Sequence, residues 1–287
     1  MDGDNDPDCA LHAGGRHPFA VATLLLGIPH FVVSNGLDSM GLPPERRLEQ
    51  LGIDTSLPAL ERLALDDANE IEVRGLAVRA IGRSKDLAYA GTLIGLLDKP
   101  ELRGTAIIAL REMGASSTTP HLIDILDNDP DEILQGISIP ALAEIAGASA
   151  FPPLLNAASD PTKSTIVRAN ALTAIRGLVG TGQLDYAAVK DKVTPLLGDP
   201  VFNVRSLVAH VMATTKDPQA IPWLVASALD DATGSWIRAR AIRDLERLTD
   251  QDFGYRNPAS QPELESALQI IETWWIENRL RYGDGGS

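Results

Sequence analysis

Histidines, thiols and paired carboxylates are the side chains best suited to bond-making chemistry, and here none falls into a catalytic spacing. The five histidines are His12, His17, His30, His121 and His210. None forms H-x-x-x-H or H-E-x-x-H, the spacing that sets two imidazoles on one helix face around zinc. Cys9 is the single cysteine, which excludes an intrachain disulfide and any multi-cysteine metal site. It sits beside Asp2, Asp4, Asp6 and Asp8 with no neighbouring base, a poor setting for a reactive thiol. There is no glycine-rich phosphate loop and no G-x-S-x-G elbow. Carboxylates are plentiful but recur in turns, where capping accounts for them. The expectation is a protein that is not an enzyme and holds neither metal nor cofactor. His210 is expected to face outward as ordinary polar surface. What remains is arginine, whose planar guanidinium can grip carboxylate or phosphate with two parallel hydrogen bonds. Arg79, Arg83, Arg111, Arg176, Arg240, Arg243 and Arg247 are the candidates, provided that the fold brings them together.

The elements that would position them repeat. Glu72-Val-Arg-Gly-Leu-Ala-Val-Arg-Ala-Ile81 aligns without a gap on Ile166-Val-Arg-Ala-Asn-Ala-Leu-Thr-Ala-Ile175. The pattern recurs at Leu102-Arg103, Val204-Arg205 and Ile237-Arg238, with a degenerate copy at Leu134-Gln135. Counting the apolar residue before the arginine as zero, positions four, seven, eight and eleven are mostly apolar. Ala106, Ala109, Leu110 and Met113 illustrate this, as do Ala171, Ala174, Ile175 and Leu178. These offsets trace one stripe of a 3.6-residue helix. The alanines let neighbouring helix backbones approach closely.

Upstream of the copies lies a second short helical pattern, often opened by proline, as at Pro58, Pro120, Pro153 and Pro222. Proline suits a first turn because its missing N–H would be unpaired there anyway. Aspartate-containing turns follow, at Asp66-Asp67, Asp98, Asp127, Asp129, Asp160, Asp199 and Asp230-Asp231. Each unit reads as helix, acidic turn, helix. One such hairpin cannot bury its apolar face alone, whereas stacked copies share a continuous core. The turn aspartates are expected to cap the next helix and to pair with the arginine at position one, forming a ladder along the stack. In the third copy Gln135 replaces that arginine, and Pro140 predicts a kink.

The pattern Pro-x-Leu-x-x-Leu-Leu-x-Asp, followed by Val-Arg-x-x-Ala-x-x-Ala-Leu/Ile-x-x-Leu/Ile-Gly, resembles the short bacterial HEAT repeat of the phycobilin-lyase type. Val167-Arg168 through Gly180 and Leu196-Leu197-Gly-Asp199 carry the likeness most closely. The resemblance covers roughly Ser56 to Thr249. It implies an all-α superhelix, a HEAT/armadillo-like solenoid, with the second helix of each repeat lining a concave binding side. Positions six, nine and ten of the second helices then supply Arg79, Arg83, Arg111, Arg176, Arg243 and Arg247, and position three supplies Arg240. Positive charge exceeds the acids Glu112, Glu144 and Glu246 on those rows, although the whole chain has a net charge of −14. The expected ligand is therefore a protein partner bearing an acidic segment. Nucleic acid is not expected, because an overall basic charge is its usual footprint. The family also suggests an alternative, a phycobilin-lyase-like or chaperone accessory handling a tetrapyrrole or its carrier protein. Iron-binding hydroxylases built on similar repeats use His-Glu dipeptides, and no histidine here precedes glutamate.

Both ends depart from the repeat. Residues 1–17 read as an acidic mobile tail and 18–55 as an apolar segment and cap. The apolar run from Phe19 to Val33 is too short to span a bilayer and lacks the flanks of an export signal. A cytoplasmic location is expected, with export the alternative if 19–33 acts as a signal. The solenoid proper is expected over 56–249 and a capping helix and tail over 250–287. In that cap Ser260 and Glu263 match a capping box, and Leu264, Leu268 and Ile271 share a face with Trp274 or Trp275. Trp274 and Trp275 are secondary interface candidates, since adjacent helical residues point about 100° apart and cannot both face the core equally, so that one of the two is expected to be partly exposed. Hydrophobic residues at 44% and charged residues at 22% fit a folded globular chain.

Overall fold

Every regular element in the computed structural model is a helix; the structure describes residues 41–231, 234–256 and 260–283. The apolar run at 19–33, the acidic tail and Cys9 lie outside the described residues. A short α1 (Pro44–Gln50) precedes six helical hairpins: α2 (Leu57–Leu65) with α3 (Ile71–Ser84), α4 (Ala90–Gly95) with α5 (Arg103–Met113), and α6 (Thr119–Asn128) with α7 (Glu132–Ala146). There follow α8 (Phe151–Ser159) with α9 (Thr165–Gly180), α10 (Tyr186–Val193) with α11 (Phe202–Thr214), and α12 (Ile221–Leu229) with α13 (Ser235–Thr249). The chain then reaches α14 (Gln261–Tyr282). This is the all-α solenoid that the repeat spacing requires.

The second helices pack in succession, α3 on α5, α5 on α7, α7 on α9, α9 on α11 and α11 on α13. Their stripe positions form the core: Ala106, Ala109, Leu110, Ala171, Ile175 and Leu178 are fully buried. Small residues set the spacing of this layer. At Gly82 an added Cβ would lie 2.6 Å from backbone atoms of Ala109, so α3 and α5 touch backbone to backbone there. The continuous helical stretch Glu132–Ser159 is long and apolar enough to cross a membrane by composition alone. It is α7, a 3-10 turn and α8, and α7 packs between α5 and α9. α7 runs as one helix through Pro140.

Proline occupies the first turn of α2, α6, α8, α12 and α14. The turn aspartates behave differently from the expectation of helix caps. Asp66, Asp129, Asp160 and Asp199 accept from backbone N–H groups two residues on, at Ala68, Asp131, Thr162 and Val201. They therefore shape the turn itself, as Asx-turns. Of the helices that follow, α7 is capped by Asp131 and α9 by Ser164, whereas α3 and α11 have no side-chain cap.

The arginine ladder runs along this turn edge, and its geometry is richer than simple ion pairing. Arg74, Arg168 and Arg238 each donate Nε–H to a carbonyl in the last turn of the preceding helix: Ala64 at 3.1 Å, Ala158 at 2.9 Å and Ala228 at 2.8 Å. One cation thus serves carbonyls that a helix end leaves unpaired and sits at the negative end of its dipole. The remaining guanidinium nitrogens reach carboxylates. Arg74 pairs with Asp67 at 2.7 Å, Arg168 with Asp199, Arg103 with Asp129, and Arg238 with Asp231 at 3.2 Å. Burial opposes ionisation of Asp199, but the Arg168 hydrogen bond and the Val201 N–H hold its carboxyl below the usual range. Arg205 breaks the pattern: it donates to the carbonyls of Asp199 and Pro200 and lies over the Phe202 ring. The Asp199 carboxylate is already taken by Arg168. In the third copy Lys163 substitutes for the missing guanidinium, donating to the Leu126 and Asp127 carbonyls at 2.7 and 3.2 Å.

The last repeat is closed by α14, which packs on α12. The Ser260–Glu263 capping box is formed. Phe253, 1% exposed, meets Trp274 edge-on with ring centroids 5.7 Å apart. Trp274 also lies 5.9 Å from Tyr282. Trp274 and Trp275 are both half-buried against the core, so the cap divides the burial between them.

Candidate binding face

Equivalent positions of stacked helices lie side by side, and the candidate arginines follow that rule in two groups. In the first repeats Arg83 lies 3.5 Å from Glu45 of α1, and Arg111 lies 3.5 Å from Glu144 of α7. Arg79, half-buried on α3, is one helical turn from Arg83. In the last repeats Arg176, Arg240 and Arg247 lie within the field of one carboxylate, Asp244. Arg247 bonds it at 2.6 Å. Arg243 is exposed and turns its Nε back to the Ala239 carbonyl at 3.3 Å.

The face is more deeply sunk than the helical offsets suggest. Positions two and three, expected to point away from the apolar stripe, are mostly buried, as at Ala169, Asn170, Ser206 and Leu207. Each inner helix is flanked by two others, so its walls are covered along with its base. Arg79, Arg111, Arg176 and Arg240 are consequently half-buried, and only Arg83, Arg243 and Arg247 are open to solvent.

His210 overturns its expectation outright. It is 1% exposed, and its Nδ1 meets Asp244 Oδ2 at 2.5 Å across α11 and α13. Burial pushes its pKa down to about 4, an effect that the Asp244 hydrogen bond only partly offsets. Asp244 itself stays ionised, because the bonds from His210 and Arg247 outweigh its burial. The imidazole is therefore neutral near pH 7, with its proton on Nδ1 toward Asp244 and an open lone pair on Nε2. A signal for this pair was present in the repeat: position seven is Ala80, Ala109, Ala141, Ala174 and Val211 in the other copies, but Asp244 in the sixth. A carboxylate in a core stripe requires a buried partner.

Arg176 and Arg240 lack such a partner. Neither makes an ion pair or side-chain hydrogen bond among the described residues, and the Arg176 Nε is buried unpaired. Burial lowers the Arg240 pKa to about 10, and the neighbouring charge of Arg176 adds to the shift. Burial likewise lowers that of Arg176, while Asp244 pulls the other way. A cleft lies between α9, α11 and α13, lined by Ala169, Asn203, Ser206, Leu207, His210, Trp236 and Ile237; neither arginine lines it. Among the described residues no group of three or more His, Cys, Asp or Glu side chains could hold a metal ion.

The stacked hairpins with a buried position-one ladder define a helical-repeat scaffold. The family model for HEAT repeats matches residues 57–143 and 151–246, and the chain belongs to that family. No curated protein matches it in sequence. Among solved structures it is similar to a chain in the complex of CpcE and CpcF of phycocyanin lyase from Nostoc, at 17% identity and a TM-score of 0.39, over 94% of this chain and 99% of that one. It is similar also to human deoxyhypusine hydroxylase in complex with glycerol, at 15% identity and a TM-score of 0.29, over 84% and 99%.

Proposed function

We propose that this chain is a non-catalytic protein–protein interaction scaffold whose inner helices hold an acidic segment of a partner protein. The observation that carries this reading is the pair Arg176 and Arg240, two half-buried guanidiniums without an ion-pair partner among the described residues, on the layer where stacked-helix scaffolds bind. Leaving cations partly desolvated and unpaired costs stability, and an anionic partner recovers that cost on binding. Arg243 and Arg247 extend the same surface into solvent and would set long-range attraction. Arg79, Arg83 and Arg111 would add a second contact zone, weaker because Glu45 and Glu144 already oppose their charge. The alternative of a tetrapyrrole-handling accessory gains nothing from the similarity to the phycocyanin lyase complex, which at a TM-score of 0.39 bears on neither ligand nor activity.

The test begins with affinity purification from the native organism, followed by reconstitution with the purified partner. The double reversal Arg243→Glu with Arg247→Glu should weaken binding at least tenfold at low salt and leave the helical circular dichroism intact. Exposed substitutions typically change stability by only about 0.5 kcal/mol. Full affinity in that variant would remove the arginine face as the binding surface and leave Trp274 and Trp275 as the next candidates.

A further inference from the structure

Three of the large hydrophobic side chains that remain exposed share one offset in the repeat. Ile133, Ile166 and Trp236, 40%, 50% and 36% exposed, each stand immediately before position zero, in the first turn of α7, α9 and α13. A singly exposed isoleucine is ordinary, but the same offset on stacked helices puts these three along one line of the inner layer. Between α9 and α13, α11 carries Asn203 at that offset, and there the surface dips into the cleft. Ala169 of α9, Leu207 of α11 and Ile237 of α13 line the cleft, whose wall is almost wholly apolar, and Trp236 continues that wall into solvent. The line is therefore apolar from α7 to α13 apart from Asn203. In the first two copies the same offset is taken by Glu72 and Glu101, both exposed, which bounds the strip at α7.

On α13 the apolar and cationic surfaces share one stripe. Trp236, Arg240, Arg243 and Arg247 follow one another at intervals of four, three and four residues, the spacing of a single helix face. The arginines thus begin about 6 Å from Trp236 along the helix axis and end about 16 Å from it. We infer that the strip from Ile133 to Trp236 is the docking line for the apolar face of an amphipathic helix of the partner protein, whose acidic flank lies toward Arg240, Arg243 and Arg247. The inference rests on the proposed binding of an acidic segment and specifies that segment's secondary structure, its apolar face and the way round it lies.

The occupant follows from the chemistry of the strip and from its dimensions. Backbone groups in the inner layer are already bonded along their own helices. An extended segment laid over the apolar strip would find no partners for its own N–H and C=O groups, whereas a helix brings those bonds with it. Stacked helices stand about 8–10 Å apart, so three steps from α7 to α13 span about 24–30 Å. That is the length of a helix of about 16–20 residues, with an apolar side chain turned to the strip at each turn. A helix is about 10–12 Å across with its side chains. One whose apolar face rests on Trp236 therefore sets its flank over Arg240 and Arg243, about 6 and 10 Å further along α13. The opposite edge of the strip is acidic: Asp131 and Glu132 open α7, and Asp231 precedes α13, all three exposed. Like charge there repels an acidic flank, which leaves the arginine side as the one it can face.

The test uses the full chain and a synthetic helix of about 18 residues, acetylated and amidated, with leucine at i, i+3, i+4 and i+7, glutamate along one flank and glutamine elsewhere. A peptide of the same composition in shuffled order, without an apolar face, is the control. Trp236→Phe assigns the Trp236 indole N–H resonance, which should move when the helix is added and stay in place with the shuffled peptide. Ile133→Ser with Ile166→Ser should weaken binding of the helix at least tenfold at low and at high salt. Arg243→Glu with Arg247→Glu should weaken it at low salt and much less at high salt, where screening already removes the attraction. Unchanged affinity in the serine pair, or a Trp236 resonance undisturbed in the bound state, overturns the strip. Equal binding of the shuffled peptide overturns the helix. Loss of binding in the arginine reversal but not in the serine pair rejects the strip and retains the arginine face; loss in the serine pair alone rejects the acidic flank and with it the arginine face. A wild type that binds neither peptide overturns the strip as a helix site. Should the serine pair fail to fold, the Trp236 resonance of the wild-type chain decides alone.

Discussion

Arg168 and Arg176 stand two helical turns apart on α9 and have opposite electrostatic fates. Arg168, 2% exposed at the turn edge, spends its guanidinium on the Ala158 carbonyl and the Asp199 carboxylate. Arg176, half-buried on the wall of the same helix, is desolvated, drawn by Asp244 and opposed by the like charges of Arg247 and Arg240, with no hydrogen-bonded ion pair among the described residues. The edge supplies acceptors because every repeat brings there a helix C-terminus and an acidic turn. The middle of the layer supplies helix walls, whose backbone groups are already bonded to one another. Buried charge that is matched within the fold reads as architecture, and buried charge left unmatched points to a ligand.

That contrast can be broken by stability measurements. Arg168→Ala should have the largest effect, a loss of about 3 kcal/mol in urea unfolding, because it orphans both Asp199 and a helix-end carbonyl. A loss below about 0.5 kcal/mol would mean that the ladder carries no structural load. Acidification comes next. Between the unfolded value of 6.5 and the folded value of about 4, the unfolded chain binds a proton at His210 that the folded chain does not. This contribution is fully present above pH 6.5 and is lost as pH falls toward 4, by roughly 3 kcal/mol at most. His210→Asn should flatten that part of the pH–stability profile; an unchanged slope would place the titrating group elsewhere. Lys163→Ala should cost about 1 kcal/mol, since its ammonium bonds two helix-end carbonyls from a partly exposed position. Arg176→Met should be the smallest in magnitude, within about 0.5 kcal/mol of wild type or slightly stabilising, because it removes a desolvated charge that no neighbour satisfies. A clear loss of stability there would show Arg176 to be a structural residue like Arg168 and erase the distinction between the two regions.

Much of the scaffold is legible in the chain because it depends on contacts close in sequence. Proline in a first turn, the Ser260–Glu263 box and the 3.6-residue stripe are local, and each repeat restates them. Periodicity then places α3, α5, α7, α9, α11 and α13 in one layer, since a hairpin with one apolar face has nowhere to bury it except on its neighbours. The arginine ladder is legible for the same reason, down to the gap at Gln135. Its carbonyl contacts are less so, because they depend on how closely one helix end approaches the next guanidinium.

What the sequence alone left undecided is which polar side chains the stack would bury. Position six of a second helix is half-buried as Arg79, Pro140 or Thr173, exposed as Arg243 and fully buried as His210. The offset within a helix is identical in each case. The neighbour differs: α13 brings the Asp244 carboxylate against the His210 ring of the helix before it, 34 residues away in the chain. The pairing and protonation of His210 follow from that one cross-helix contact together with burial. Helical periodicity fixes the direction of a side chain from its own helix axis, whereas desolvation is set by whatever the packed neighbour places opposite, and only the tertiary structure supplies that neighbour.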